Sequence, residues 1–185
     1  ENSLMDIFAL NNFVNLNNLS CDTLTSSNID FANRIYDEAK ILDEYEKAGR
    51  ITDKIDAQHK KYDIMRTFLW INIMKTKEIC KNDSVHTIVY IYNFNTDDLT
   101  EKATNSVWSK ITFDLKETHG NRIILIPIAA DSNIIALNSI LENYGIFEYP
   151  VLIIDNKYVI RELSSVEEIE KLLNRFPDLD EKQRK

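Results

Sequence analysis

One stretch organises the rest of this chain, and it reads Gly145-Ile146-Phe147-Glu148-Tyr149-Pro150-Val151-Leu152-Ile153-Ile154-Asp155-Asn156-Lys157-Tyr158-Val159-Ile160. Val151–Ile154 is an unbroken run of β-branched residues and leucine, which is typical of a strand covered on both faces. Asp155-Asn156 separates this run from a second apolar run, which predicts a tight hairpin turn. Pro150 has no N–H, so it must stand at the start of the strand, and a tight entry into a sheet favours a cis X–Pro bond.

Strand and helix patterns alternate on both sides of this stretch. Ile88–Tyr92 is predicted to be a strand, and so is Arg122–Ile128. Pro127 lies inside the second of these strands and cannot donate a ladder hydrogen bond, which predicts a strand at the sheet edge. Further helices are predicted from Ile134 to Tyr144 and after the capping pair Ser164-Ser165.

The helix after the first strand is predicted from an apolar residue at every fourth position. We expect one of residues 95–97 to cap its start and Gly120 to follow its end. Its buried row is predicted to be Leu99, Ala103, Val107, Ile111 and Leu115. Asp131-Ser132-Asn133 is predicted to cap the next helix.

The first part of the chain has a helical pattern. Residues 1–27 form an Asn-rich lead-in, and residues 28–81 are predicted to form an antiparallel helical hairpin. Its first helix is expected to start near Ser26-Ser27-Asn28, which are favourable N-cap residues, and to end at Gly49. The second helix is expected to run from about Thr52 to about Cys80, with a buried row of Ile55, Tyr62, Met65, Leu69, Ile73 and Thr76.

The two cysteines, Cys21 and Cys80, stand far apart and fit no metal-ligand spacing. At about 1.5 Å of rise per helical residue, the second helix exceeds the first by about 15 Å, and the extended segment from Cys21 to Asn28 can span that difference. Cys21 can therefore reach Cys80, and closing this loop stabilises by about 4 kcal/mol. The alternative is two unrelated buried thiols, whereas a structural disulfide implies an oxidising, extracytoplasmic setting.

Charge and composition restrict the expected partners. The chain of 185 residues carries a net charge of −8, and nucleic acid is not an expected partner because binding it requires clustered lysine and arginine. No apolar run reaches the ~18 residues that span a bilayer. The sequence begins at Glu1 without methionine, so we expect a membrane to be involved only through a preceding signal or anchor. If Cys21 and Cys80 are bonded, an extracytoplasmic location, secreted or membrane-tethered, is expected, with a cytoplasmic one as the alternative.

Motifs of known chemistry are missing from the sequence. The histidines His59, His86 and His119 are scattered, and there is no glycine-rich phosphate loop, nucleophile elbow or HExxH motif. Asp97 and Asp98 are adjacent at a predicted helix start, which favours capping over acid–base catalysis or metal binding. We therefore expect no catalytic residues, no metal site and no cofactor.

Residues 85–176 resemble the thioredoxin-like superfamily. The resemblance rests on the order strand–helix–strand–helix–strand–strand–helix, with Ile88–Phe94 as the first strand and Tyr149-Pro150 in the place of the family's cis-proline, reached through Tyr144-Gly145-Ile146. It implies an α/β fold with a thioredoxin-like mixed sheet, preceded by the helical hairpin and followed by a charged tail at residues 177–185.

The chain departs from this family at the site of its chemistry. The turn that carries CxxC in thioredoxin-like oxidoreductases reads Phe94-Asn95-Thr96-Asp97-Asp98-Leu99 here and contains no cysteine. In those enzymes the helix N-terminus lowers the pKa of the nucleophilic cysteine. The resemblance therefore implies a redox-inactive member that acts as a non-catalytic interaction or assembly module.

The resemblance also implies where a partner would bind. The family's peptide groove lies between the loop after the first strand and the backbone beside the cis-proline. Carried over to this chain, the groove would hold an extended segment of a protein or peptide partner and would consist of Phe94, Asn95, Thr96, Phe147, Glu148, Tyr149 and Pro150. The alternative function is a thiol–disulfide oxidoreductase that uses Cys21 and Cys80 as a distal redox pair.

Overall fold

The computed structural model describes residues 20–47, 52–80 and 85–174. This part of the chain has an α/β fold in which two helices precede a four-stranded mixed sheet with its own helices. The helices are α1 (Cys21–Lys47), α2 (Thr52–Ile79), α3 (Leu99–His119), α4 (Ile135–Asn143) and α5 (Val166–Leu173). The strands are β1 (His86–Tyr92), β2 (Ile123–Ala129), β3 (Val151–Ile154) and β4 (Tyr158–Ile160).

The strands lie in the order β2-β1-β3-β4. β1 and β2 are parallel and are joined through α3, the helical crossover that a parallel pair needs, and β3 runs antiparallel to both β1 and β4. Pro127 lies in β2 opposite Tyr90. Since β2 is an edge strand, the prediction made from Pro127 is confirmed.

The sheet separates two apolar cores. Val151 and Ile153 of β3 pack into the core beneath α1, α2 and α4. Leu152 and Ile154 pack into the opposite core, beneath α3 and α5. All four side chains are buried, so the prediction of a strand covered on both faces is confirmed.

Asp155 and Asn156 are the central residues of the turn between β3 and β4, as predicted, but the connection is one residue longer, because Ile154 pairs with Tyr158 and Lys157 also lies between the strands. Asp155 and Asn156 both have positive φ, 50° and 58°, and the N–H of Lys157 donates to the carbonyl of Ile154 at 3.0 Å. This is the type I′ geometry, whose twist matches that of paired strands and which Asp and Asn tolerate better than other non-glycine residues. Ahead of β3, Gly145 ends α4 with φ 62°, and the peptide bond between Tyr149 and Pro150 is cis.

Contacts between α1 and α2 run in opposite order along the two helices. Cys21 is joined to Cys80 by a disulfide, and the Asn28 amide donates to the Thr76 hydroxyl at 3.0 Å. Further along, the Tyr62 hydroxyl donates to a backbone carbonyl of α1. The helices are therefore antiparallel.

Five members of the predicted α2 row are buried, namely Tyr62, Met65, Leu69, Ile73 and Thr76. The side chain of Ile55 and the predicted turn at Gly49 lie outside the described residues.

Helix α1 begins at Cys21, several residues before the predicted cap at Ser26-Ser27-Asn28. Ser20 takes the N-cap position, where its hydroxyl accepts from the N–H of Thr23 at 3.2 Å. The hydroxyls of Ser26 and Ser27 instead donate back to the carbonyl of Thr23 inside the helix. Cys21 thus reaches Cys80 because the helix itself is longer, and not through an extended segment.

The predicted buried row of α3 is wrong in its first half. Leu99, Ala103 and Val107 are exposed, while the buried positions are Trp108, Thr112 and Leu115. A residue at every fourth position advances about 400° per step, so the row drifts by about 40° at each step and leaves the core. The spacing i, i+4, i+7 stays on one face, and Trp108 is its largest member.

Candidate functional site

Four loops leave the sheet at the same end. Ile91 of β1 lies opposite Val151 of β3, and Tyr92 lies opposite Ala129, the last residue of β2. Since β4 is antiparallel to β3, the segment after β4 also emerges here. We call this region, formed by residues 93–98, 130–134, 145–150 and 161–165, the loop end; in open α/β sheets ligands bind at the carboxyl ends of the strands.

All the residues predicted to form the groove lie at the loop end. Phe94 is half-buried, with its ring centroid 4.2 Å from that of His59 on α2, and Asn95 is exposed. On the facing loop, Phe147 is 73% exposed and Glu148 is exposed. The remaining three predicted residues, Thr96, Tyr149 and Pro150, are half-buried.

Asp131 ties the loop after β1 to the loop after β2. Its two carboxylate oxygens accept from the N–H groups of Phe94 and Asn95, at 2.9 and 2.7 Å. The prediction that Asp131-Ser132-Asn133 caps α4 is therefore wrong: Ile134 takes the N-cap position and makes no side-chain capping bond. Asp131 lies in the 3₁₀ turn that follows β2, before the start of α4, and its carboxylate binds the loop after β1 instead of the helix.

Asp63 is a buried carboxylate that joins α2 to the same loops. It accepts hydrogen bonds from the Ala129 N–H at 3.2 Å and from the Ser132 hydroxyl, and Arg66 Nη1 lies 3.6 Å away. Burial raises the pKa of Asp63, which the bond from Ser132 and the charge of Arg66 offset only in part. Sequence analysis missed this residue, although an aspartate inside the apolar row of a helix signals a buried partner.

The first turn of α3 is already satisfied by its own side chains. Asp98 is the N-cap, accepting from the N–H groups of Thr100 and Glu101 at 2.7 and 3.2 Å. These bonds hold the pKa of Asp98 below its usual range. The Glu101 carboxylate in turn accepts from Asn93 and Thr96. A carboxylate therefore occupies the position at which a helix N-terminus would stabilise a thiolate.

The disulfide lies away from the loop end. Cys80 follows the last turn of α2, and Lys77 in that turn contacts Asp155, which follows the carboxyl end of β3 and thus marks the opposite end of the sheet. Cys21 is exposed at the start of α1, whereas Cys80 is buried. Since these are the two cysteines of the chain, the loop end holds no sulfur nucleophile.

Histidine side chains have separate partners. His86 Nδ1 lies 2.7 Å from Asp155, and His119 Nε2 lies 3.0 Å from Glu170 of α5. Only His59, packed on Phe94, is at the loop end. The structure thus brings the predicted groove residues together and leaves the three histidines in different places.

Within the described ranges, no group of three His, Cys, Asp or Glu side chains is placed to hold a metal ion. None of the helices in these ranges is long and apolar enough to span a bilayer. Comparisons with protein-family models, curated proteins and solved structures find no match to this chain. Its function is therefore inferred from the geometry of the loop end.

Proposed function

We propose that this chain is a non-catalytic, thioredoxin-like interaction or assembly module that binds an extended segment of a partner protein at the loop end. The observation that carries the proposal is the pairing of Ile91 with Val151. This register sets the loop of Phe94 beside the loop of Phe147 and Pro150, so that a strand-like segment can lie between them.

The chemistry of the loop end supports binding over catalysis. The first turn of α3 is neutralised by Asp98, and Asp131 occupies the N–H groups of Phe94 and Asn95. Phe147 is largely exposed. An aromatic side chain in solvent does not stabilise the domain itself, so its exposure favours a role in binding a partner. A disulfide between Cys21 and Cys80 supports an extracytoplasmic setting for the module.

Selection from a displayed library of random heptapeptides tests the proposal. We expect selected peptides to bind with micromolar affinity, and Phe147→Ala to weaken binding about tenfold because it removes an aromatic contact. Phe113→Ala is the matched control, since Phe113 is 44% exposed on α3 outside the loop end. Equal loss in both variants, or no loss in either, would refute the groove.

A second candidate function is favoured by the unequal exposure of the two sulfurs. Cys21 is exposed at the N-terminus of α1, where a thiolate is stabilised, and Cys80 is buried behind it. A thiol–disulfide oxidoreductase would use Cys21 as the attacking group and Cys80 as the resolving one. Redox titration separates the two functions: a potential below about −300 mV indicates a structural bond, and one near that of the glutathione pool indicates an enzyme.

A further inference from the structure

Large apolar side chains are exposed preferentially in the loop end and at the first residues of the two helices that start from it. Ile135 and Leu99, the first residues of α4 and α3, are 85% and 80% exposed, and both helices start from loops of this region. Phe147 and Leu163 lie in the other two loops, and Leu163 is 53% exposed. Among the described residues these are four of the five most exposed large apolar side chains, and exposed apolar groups at one place mark an interaction surface.

The charges among these apolar groups are predominantly negative. Asp97, Asp98, Glu148 and Glu162 are exposed carboxylates of the loop end. Arg161 is the one lysine or arginine within the four loops, and its guanidinium donates to the carbonyl of Gly145 at 3.3 Å. The loop end therefore has negative potential, which attracts cationic partners and disfavours anionic ones.

We infer that the loop end recognises an extended segment in which apolar side chains are interspersed with lysine or arginine. This inference rests on the proposed function and adds the chemistry of the partner to it. Strands lie about 4.8 Å apart, so the end of a four-stranded sheet is about 15 Å wide, which about five extended residues cross. Within such a segment, apolar side chains would meet Leu99, Ile135 and Phe147, and the cations would meet the carboxylates of the same loops.

Three capped heptapeptides test the inference with the full chain. The probe alternates leucine and lysine, a second peptide has glutamate in place of lysine, and a third has serine in place of leucine. Calorimetry at about 50 and about 300 mM salt should show the leucine–lysine peptide binding at least about tenfold tighter than either counterpart, with weaker binding at the higher salt concentration.

The double variant Asp97→Asn/Glu148→Gln should weaken this binding about fivefold, because each exposed charge pair contributes modestly. Glu78→Gln, an exposed carboxylate at the far end of α2, should leave it unchanged.

The outcomes distinguish the inference from the function on which it rests. If the leucine–glutamate peptide binds as tightly as the leucine–lysine peptide, and Phe147→Ala weakens both, the groove stands and the charge preference is overturned. If the leucine–serine swap changes nothing, the apolar part of the inference is overturned. If none of the three peptides binds while library-selected heptapeptides do, the inference is overturned and the groove stands; if the selected heptapeptides also fail to bind, both are rejected.

Discussion

The carboxylate of Asp155 joins three separate segments of the chain. Lys77 Nζ lies 2.6 Å from it and His86 Nδ1 2.7 Å, and the N–H of Thr87 donates to it at 2.9 Å. Burial by itself would raise the pKa of Asp155, but the bond from His86, the charge of Lys77 and the Thr87 N–H together lower it to about 2. This residue therefore fastens the β3–β4 turn to α2 and to the start of β1.

The lowered pKa of Asp155 predicts acid sensitivity. Since the folded-state pKa is about 2 against an ordinary value of 3.8, the ionised carboxylate contributes about 2 kcal/mol to the free energy of unfolding above pH 4. That contribution is lost as the pH falls from about 4 to about 2. Asp155→Asn, which suits the positive φ of the turn, should cost about 2 kcal/mol at pH 7 and nothing below pH 2, as measured by urea unfolding across this range.

Asp114→Asn serves as the control for Asp155→Asn. Asp114 is an exposed carboxylate on α3, so its replacement should change the free energy of unfolding by less than about 0.5 kcal/mol at any pH. An unaltered pH profile for Asp155→Asn would show that the three-way contact does not stabilise the fold.

At the scale of single elements, α3 shows which helix face the sheet selects. Trp108 and Leu115 are fully buried in the core on the side of the sheet where α3 packs on β1 and β2, whereas Val107, the neighbour of Trp108, is 43% exposed. A row of aliphatic residues at every fourth position includes Leu115 but leaves out Trp108, and its first half lies on the exposed side of the helix. The side facing the sheet is set by the largest apolar side chain, which loses most by exposure.

A pair of adjacent substitutions tests the assigned face of α3. Trp108→Ala should lower the free energy of unfolding by about 4 kcal/mol, because it empties a large buried volume. Val107→Ala should change it by less than about 0.5 kcal/mol, since that residue is 43% exposed and its truncation empties no buried volume. Similar losses at both positions, measured by chemical denaturation, would contradict the orientation of the helix.

The other elements show how far local pattern predicts this structure. The β3–β4 hairpin, the edge position of β2 and the start of α5 follow from chemistry within a few residues, and the Ser165 cap forms with Glu168 as expected. The contacts of Asp131 and Asp63 do not follow from local pattern. Asp131 accepts from Asn95, 36 residues away, and Asp63 accepts from Ala129, 66 residues away. At these positions the carboxylates bind backbone N–H groups that are distant in the sequence, and such contacts exist only in the folded chain.

For the whole molecule, the disulfide and the loop end are at different ends of the sheet. Cys21 and Cys80 close a separation of 59 residues and hold the open end of the α1–α2 pair together. Asp63 connects α2 to the loops at the other end through Ala129 and Ser132. The α1–α2 pair thus packs on one face of the sheet, with the disulfide at one end of it and the contacts of Asp63 at the other.

This separation predicts different consequences of removing the disulfide. The double variant Cys21→Ser/Cys80→Ser should lose about 4 kcal/mol of stability, because the unfolded chain regains the entropy of a long loop. Peptide affinity at the loop end should stay within about twofold of the original at temperatures where the variant is folded. Thermal unfolding measures the stability, and calorimetry measures the peptide affinity. A large loss of affinity in the folded double variant would show that peptide binding depends on the disulfide.

The proposal that partner binding occurs at the loop end is tested most directly by mapping backbone amide shifts on addition of a library-selected heptapeptide. We predict saturable changes at Asn95, Thr96, Phe147, Glu148 and Tyr149, with the α1–α2 helices unaffected away from His59. Saturable binding whose shift changes fall on those helices or along the outer edge of β4, with the loop residues unmoved, would contradict it.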